Sequence, residues 1–252
     1  MPTRASRPDG VTDTVVVIPA YNEAATIARV AGGARAFADV CVVDDGSHDR
    51  TAEIVAALPG IHVIRHPRNT HIAGALRDGM AYAAERGYRH CITMDAGLSH
   101  DPEEIPRFMA CRDVDLVLGF RARRTNVPWH RLALSRGATF VVNAALNPFG
   151  LPWGSPRFGD VTSGFRMYSR AAVDVILSRP LRSRSFDFHL ETLALVYRAG
   201  LTIREIPISY AYSSSSLNAR VVRDALKMWT YLISDSGRRA KRGCVLDGQR
   251  GR

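Results

Sequence analysis

The chain has 252 residues, 46% of them apolar, with 34 Lys and Arg against 24 Asp and Glu, a formal charge of +10. This is enough for one large domain, or a domain with an appendage, and for a substantial core. The sequence contains no apolar run near the roughly 18 residues of a spanning helix and no signal-peptide core in its first dozen residues, so a soluble or peripherally attached protein is expected.

The positive excess favours polyanionic partners such as nucleic acid, an acidic membrane face or phosphorylated substrates, or else reflects a basic surface with a basic tail. No stacking-aromatic pattern or helix-turn-helix signal supports nucleic acid. Cys41, Cys91, Cys111 and Cys244 are widely spaced with no Cys-x-x-Cys pair, which points to reduced thiols in a cytoplasmic compartment.

Residues 1–12, rich in Pro, Gly, Ser and Arg, form an expected disordered lead. Strands are then expected near 14–18, 39–44, 61–65, 89–94 and 115–120, and helices near 24–37, 49–58, 71–86 and 102–111. Such alternation argues for a parallel sheet with right-handed crossovers. After Gly119 the rhythm changes: a basic turn at 121–124, a helix over 129–146, and a Pro- and Gly-rich loop over 147–160. A strand near 164–168, a helix near 186–199 and a strand near 202–212 follow, then a polar break at 213–216, an amphipathic helix over 218–234 and the basic run 238–242.

Three strands end in polar clusters that suit a ligand at a sheet's carboxyl rim. They are Pro19-Ala20-Tyr21-Asn22-Glu23 after the first, Asp44-Asp45-Gly46-Ser47 after the second, and Asp95-Ala96-Gly97 after the fourth. Carboxylates on one rim suit a ribose or a metal-bound diphosphate, since buried ones need partners. Turn chemistry is the alternative for Asn22 and Gly46.

Further motifs are Gly74-Ala75-Leu76-Arg77-Asp78-Gly79, Ser99-His100-Asp101-Pro102-Glu103, Thr162-Ser163-Gly164-Phe165-Arg166 and Glu205-Ile206-Pro207-Ile208. In this order and spacing the sequence resembles the inverting glycosyltransferases of family two with the GT-A fold. Within them it is most similar to the dolichol-phosphate mannose synthase group and its bacterial polyprenyl-phosphate relatives. The resemblance implies a Rossmann-like α/β domain over 13–212, its mostly parallel sheet covered by helices on both faces, with a C-terminal helical extension over 213–252.

It also implies an enzyme that moves a sugar from a GDP- or UDP-linked donor to a polyprenyl phosphate. Pro19, Ala20, Tyr21, Glu23, Asp44, Asp45, Gly46, Asp95, Ala96 and Gly97 would meet the nucleotide, with Asp95 facing the diphosphate and a Mg²⁺ or Mn²⁺ ion. Arg121, Arg131, Ser135, Ser163 and Arg166 would meet the acceptor. A phosphate acceptor is already an anion, so arginines matter more than a base. Asp95, Arg121 and Arg131 form the expected catalytic group, with Asp160 as the base should the acceptor be a hydroxyl.

The sequence departs from the family pattern at three places. Gly97 stands where a second Asp usually completes Asp-x-Asp, removing one hard oxygen ligand. Residues His71 and Ala73 replace preferred glycines, and Ser213–Asn218 replaces a basic loop ending in Gly-x-Ser-Lys, leaving Arg220 or Arg223 as substitutes. Two alternatives stay open: transfer to a soluble hydroxyl acceptor, and a degenerate binder of nucleotide sugars. The C-terminal helix has three candidate partners: an anionic membrane surface, the domain itself, or a second subunit in a homodimer.

Overall fold

A computed structural model describes residues 12–125, 135–137, 139–140, 142–143, 158–211 and 245–246. The expected lead over 1–11, Arg131, the polar break, the C-terminal helix and the basic tail lie outside the described residues. Thr12 does belong to the folded part. It is buried, and its hydroxyl donates to the Thr14 carbonyl at 2.6 Å.

The elements are β1 (Thr14–Ala20), α1 (Ile27–Arg35), β2 (Asp39–Asp44), α2 (Thr51–Ala56), β3 (Ile61–Arg65), α3 (His71–Glu85), β4 (His90–Thr93), a 3₁₀ turn (Pro102–Glu104), α4 (Ile105–Met109), β5 (Leu116–Thr125), β6 (Arg166–Ser169), α5 (Arg170–Leu177), α6 (Phe188–Arg198), β7 (Ile203–Ala211) and β8 (Val245–Leu246). They form one mixed sheet in the order β3-β2-β1-β4-β6-β5-β7-β8. Every pairing is parallel except those of β6, which runs antiparallel to both β4 and β5.

Period-two alternation along the strands separates the two cores. Val15, Val17, Cys41 and Val43 face α3, α5 and α6, packing with Leu76, Met80, Ile176 and Leu193. Val16, Ile18, Val40 and Val42 face the other side, packing with Ile27, Val30, Ile105 and Phe108. Strands covered on both faces read as near-continuous Val and Ile runs, as β1 and β2 do. Burial makes a thiol's ionisation unfavourable and pushes Cys41 up to about 12. Cys41, Cys91 and Cys111 are buried free thiols that serve as packing groups.

Helix α5 was absent from the sequence expectation. It starts directly where β6 ends, with no linker, so no turn signal marks it. Its start is fixed instead by Ser169, whose hydroxyl accepts the Ala172 N–H at 3.2 Å, and by the buried stripe Ala172, Val173 and Ile176.

Candidate functional site

Parallel register carries the motif residues to one rim. Ala20 pairs with Asp44 across β1 and β2, and Val17 pairs with Thr93 across β1 and β4. The strand order reverses direction between β1 and β4, which opens a crevice at their carboxyl ends.

The two loops on the β1–β2 side are stapled together. Asn22 N–H donates to Ser47 Oγ at 2.9 Å, and His48 N–H donates back to Asn22 Oδ1 at 2.9 Å. Glu23 N–H reaches Thr51 Oγ1 at 2.8 Å and Ala24 N–H reaches Asp49 Oδ2 at 3.1 Å. The Asn22 and Ser47 of the motifs are thus structural clamps, and Asn22 takes the positive φ of 57° that Asn tolerates. Gly46 has φ of 75°, and a Cβ there would lie 2.8 Å from the Arg68 carbonyl carbon, so backbone passes where any side chain would collide. Held by these clamps, Tyr21 is an exposed ring, 43% accessible, edge-on to His48 at 6.3 Å.

The paired aspartates have different partners. Asp45 Oδ1 is taken by the Thr70 N–H at 2.8 Å, the Thr70 hydroxyl at 2.7 Å and His66 Nδ1 at 2.7 Å. It ties down the loop before α3. Asp44 Oδ1 accepts Ser47 N–H at 3.2 Å, while its buried Oδ2 has no hydrogen-bond partner among the described residues and lies 3.5 Å from the Arg65 Nε. A buried carboxylate oxygen in that state is an acceptor awaiting a donor. At His71 the positive φ of 65° accounts for the glycine that the family pattern prefers.

Asp95 stands beyond β4 with 35% of its side chain exposed. Its N–H donates to His100 Nδ1 at 3.3 Å, and one carboxylate oxygen lies 3.7 Å from that nitrogen. Ala96 is buried, and Gly97 contributes no side chain. Asp101, the other nearby carboxylate, caps the 3₁₀ turn by accepting Glu103 N–H at 3.1 Å.

Across the crevice, Arg121 at the bulge of β5 is locked to Asp160. Its Nε donates to Oδ2 at 2.5 Å and its Nη2 to Oδ1 at 2.8 Å. It also donates to Thr162 and, at 3.1 Å, to Ser135 Oγ, and it stacks 5.0 Å over the Tyr210 ring. Burial alone would raise Asp160, but Arg121 and Thr162 outweigh it and hold the carboxyl below its usual range. Burial likewise opposes the Arg121 charge, and Asp160 overcomes it, with a smaller contribution from Asp95.

Asp160, the expected base for a hydroxyl acceptor, is thus paired with Arg121 in this structure. A buried carboxylate with a depressed pKa and a bidentate partner is a poor proton acceptor.

Arg166 also departs from expectation. The sequence placed it against the acceptor, but it is 0% exposed and donates to three backbone carbonyls. These are Ser163 at 2.8 Å, His189 at 2.7 Å and Val161 at 2.5 Å. It shapes the loop before β6 from within. Ser163 is buried in the same turn, its hydroxyl accepting Phe165 N–H at 3.4 Å.

Two further residues shape this region: Glu205, from a motif already noted in the sequence, and His189, which carried no local signal. Glu205 accepts the N–H groups of Gly159 and Asp160 at 2.8–3.1 Å, fixing the Asp160 turn. His189, in the first turn of α6, is 1% exposed, and neither ring nitrogen has a hydrogen-bond partner among the described residues. Burial, then the charges of Arg166, His100 and Arg121, hold it well below the usual histidine range, so the ring is neutral.

Comparisons with known proteins agree with this geometry. The chain is 29% identical over 247 residues to the undecaprenyl-phosphate mannosyltransferase of Micrococcus luteus, covering 91% of this chain and 98% of the relative. It is 28% identical over 234 residues to the polyprenol monophosphomannose synthase of Mycolicibacterium smegmatis, covering 84% of each. Among solved structures, the glucosyl-3-phosphoglycerate synthase of Mycobacterium tuberculosis, in complex with Mn²⁺, UDP and glucosyl-3-phosphoglycerate, superposes with a TM-score of 0.67 at 19% identity. That match covers 88% of this chain and 80% of the neighbour, and shows a shared GT-A fold. Residues 15–177 match the family description "Glycosyl transferase family 2". With the rim, the sheet order and this match in agreement, the chain belongs to glycosyl transferase family 2.

Proposed function

We propose that this protein transfers a sugar, with inversion, from a nucleoside-diphosphate donor to a polyprenyl phosphate. The observation that carries the reading is that Asp44, whose buried Oδ2 has no hydrogen-bond partner among the described residues, and the partly exposed Asp95 stand at the carboxyl ends of the two strands that flank β1. Asp44 Oδ2 suits a base N–H or a ribose hydroxyl, Tyr21 offers a face for the base, and Asp95 faces the sugar and diphosphate. The two polyprenyl-phosphate relatives, matched over most of their length, support the acceptor class.

The Arg121–Asp160 pair supports the same acceptor. Asp160 is committed to Arg121 and so is a poor base for a hydroxyl, whereas a phosphate needs no deprotonation. Arg121 and Ser135, with Arg131, are proposed to receive the acceptor phosphate. No helix among the described residues is long and apolar enough to cross a membrane.

The family's divalent cation fits a reduced donor set. Among the described residues no group of three or more His, Cys, Asp or Glu converges. Asp95 offers one exposed hard oxygen donor, and Mg²⁺ and Mn²⁺ sites at diphosphates commonly use one or two carboxylates with phosphate oxygens and water. Asp95 would hold the ion, which would neutralise charge on the departing diphosphate. Restoring the missing ligand tests this placement. Gly97→Asp is expected to tighten Mn²⁺ binding about tenfold in the presence of GDP or UDP, read by electron paramagnetic resonance titration. Unchanged affinity would remove the ion from Asp95.

The acceptor is tested by incubating the protein with radiolabelled GDP-mannose or UDP-glucose, Mn²⁺ and polyprenyl phosphate, then extracting into butanol. Label in the organic phase is expected. Label that stays with a soluble hydroxyl acceptor would sink the lipid reading.

A further inference from the structure

Residues 178–187, between α5 and α6, form a loop whose backbone is held from within. Arg77 of α3 donates to the carbonyls of Leu177 at 3.0 Å and Arg179 at 2.9 Å. Glu191 of α6 accepts the N–H groups of Arg182 and Ser183 at 2.9–3.1 Å. Asp187 accepts those of Arg184 and Ser185 at 3.3 and 2.7 Å. The Ala73 N–H donates to the Arg184 carbonyl at 3.4 Å. That bond seats the loop against the first turn of α3, the helix that follows the carboxyl end of β3, and so beside the rim of the site.

The two signs of charge are kept apart. Glu191 and Asp187 are buried, 3% and 6% exposed, and hold backbone. Arg179, Arg182 and Arg184 are exposed, with Ser183 buried between the last two. Arg68, in the adjoining loop before α3, is exposed as well, and neither 178–187 nor 65–71 shows an exposed Asp or Glu. A fixed surface of one sign suits an extended polyanion.

A second observation selects which polyanion. Residues 135–137, 139–140 and 142–143 are helical, and Val142 is buried in the core that α3, α5 and α6 cover. Phe140 on this helix is 74% exposed, and the exposed Arg136 precedes it by one turn on the same outer face. Ser135, at the start, bonds Arg121 at 3.1 Å. A bare aromatic ring flanked by arginines suits the boundary between headgroups and acyl chains; a soluble polyphosphate would leave it in water.

Resting on the acceptor reading above, we propose that Arg179, Arg182 and Arg184, together with Phe140, dock this protein on an anionic phospholipid bilayer. The contact turns the rim toward the lipid phosphate that it is to glycosylate.

The test is sedimentation of the full chain with vesicles that contain no polyprenyl phosphate, made of phosphatidylcholine alone or mixed with phosphatidylglycerol. Binding is expected only to the mixed vesicles, and it should weaken with added salt. Combining Arg179→Ala, Arg182→Ala and Arg184→Ala should reduce it about 100-fold, roughly five-fold per arginine. The corresponding triple lysine variant keeps the charges and should retain most of the binding. Phe140→Ser should weaken binding to the mixed vesicles about tenfold. Transfer to a short, water-soluble prenyl phosphate without vesicles should be unchanged in every variant, because none of these side chains holds the loop or the site.

Equal binding of the wild type to both kinds of vesicle would overturn the proposal. So would full binding by the triple alanine variant, which would move the contact to the basic run 238–242, or loss of binding in the triple lysine variant. A wild-type protein that binds the mixed vesicles yet transfers nothing to the short acceptor would instead defeat the acceptor reading.

Discussion

Asp95→Asn is expected to lower kcat/KM by about 10²- to 10³-fold, the range seen when one preorganised electrostatic group is removed from a transition state. The carboxylate is 35% exposed and its own N–H, not its oxygens, holds His100. Losing its charge should therefore leave the fold intact, and circular dichroism melts of the variant should overlay the wild type. The loss should fall mainly on kcat, because the diphosphate's charge grows as the sugar departs. Near-normal turnover at saturating Mn²⁺ would take Asp95 out of the reaction.

The second large effect concerns stability. Asp160→Asn leaves the Arg121 guanidinium buried beside a neutral amide, and breaking a buried pair on one side costs about 3–5 kcal/mol. For a domain of this size that corresponds to a fall in Tm of roughly 10 °C. Replacing both partners, Arg121→Met with Asp160→Leu, should recover much of that loss while abolishing transfer, which separates folding from the proposed acceptor role. If the single variant melts like the wild type, the pair contributes nothing and Arg121 is held by Tyr210 and Ser135 instead.

The same pair sets a pH dependence. Because Asp160 is held below its ordinary value of 3.8 in the folded protein, its contribution is complete above the unfolded carboxylate range. It fades only as pH falls through the still lower folded value. Acid unfolding below about pH 4 should thus be steeper in the wild type than in Asp160→Asn.

How much of this was legible in the sequence depends on range. Val15 to Ile18 and Val40 to Val43 announce buried strands by composition alone, and the polar clusters after them announce the rim. The motif order supplied the fold class as a whole. Many side-chain partners were not legible, because they depend on how distant or irregular segments fold back on one another. Asp160 finds Arg121 39 positions earlier, and nothing near Asp160 distinguishes a locked carboxylate from a free one. Arg166 sits in a polar turn that reads as surface, yet the carbonyls of Val161, Ser163 and His189 converge to enclose it. His189 lies in the stretch Phe-Asp-Phe-His-Leu-Glu, where a histidine looks like helix filling. Helix α5 escaped because a strand ran into it without a linker.

The late arrival of β6 has a consequence for synthesis on the ribosome. Until Arg166–Ser169 emerges, β4 is the bare margin of a half-built sheet, its backbone groups at Cys91 and Thr93 unclaimed on one side and its Ile92 without the flanking Met167. Uncovered margins of this kind template wrong pairings between chains. Ribosome-stalled chains ending near residue 120 are accordingly expected to bind holdase chaperones, and chains extended past β7 to release them, a difference that crosslinking on stalled ribosomes would read directly.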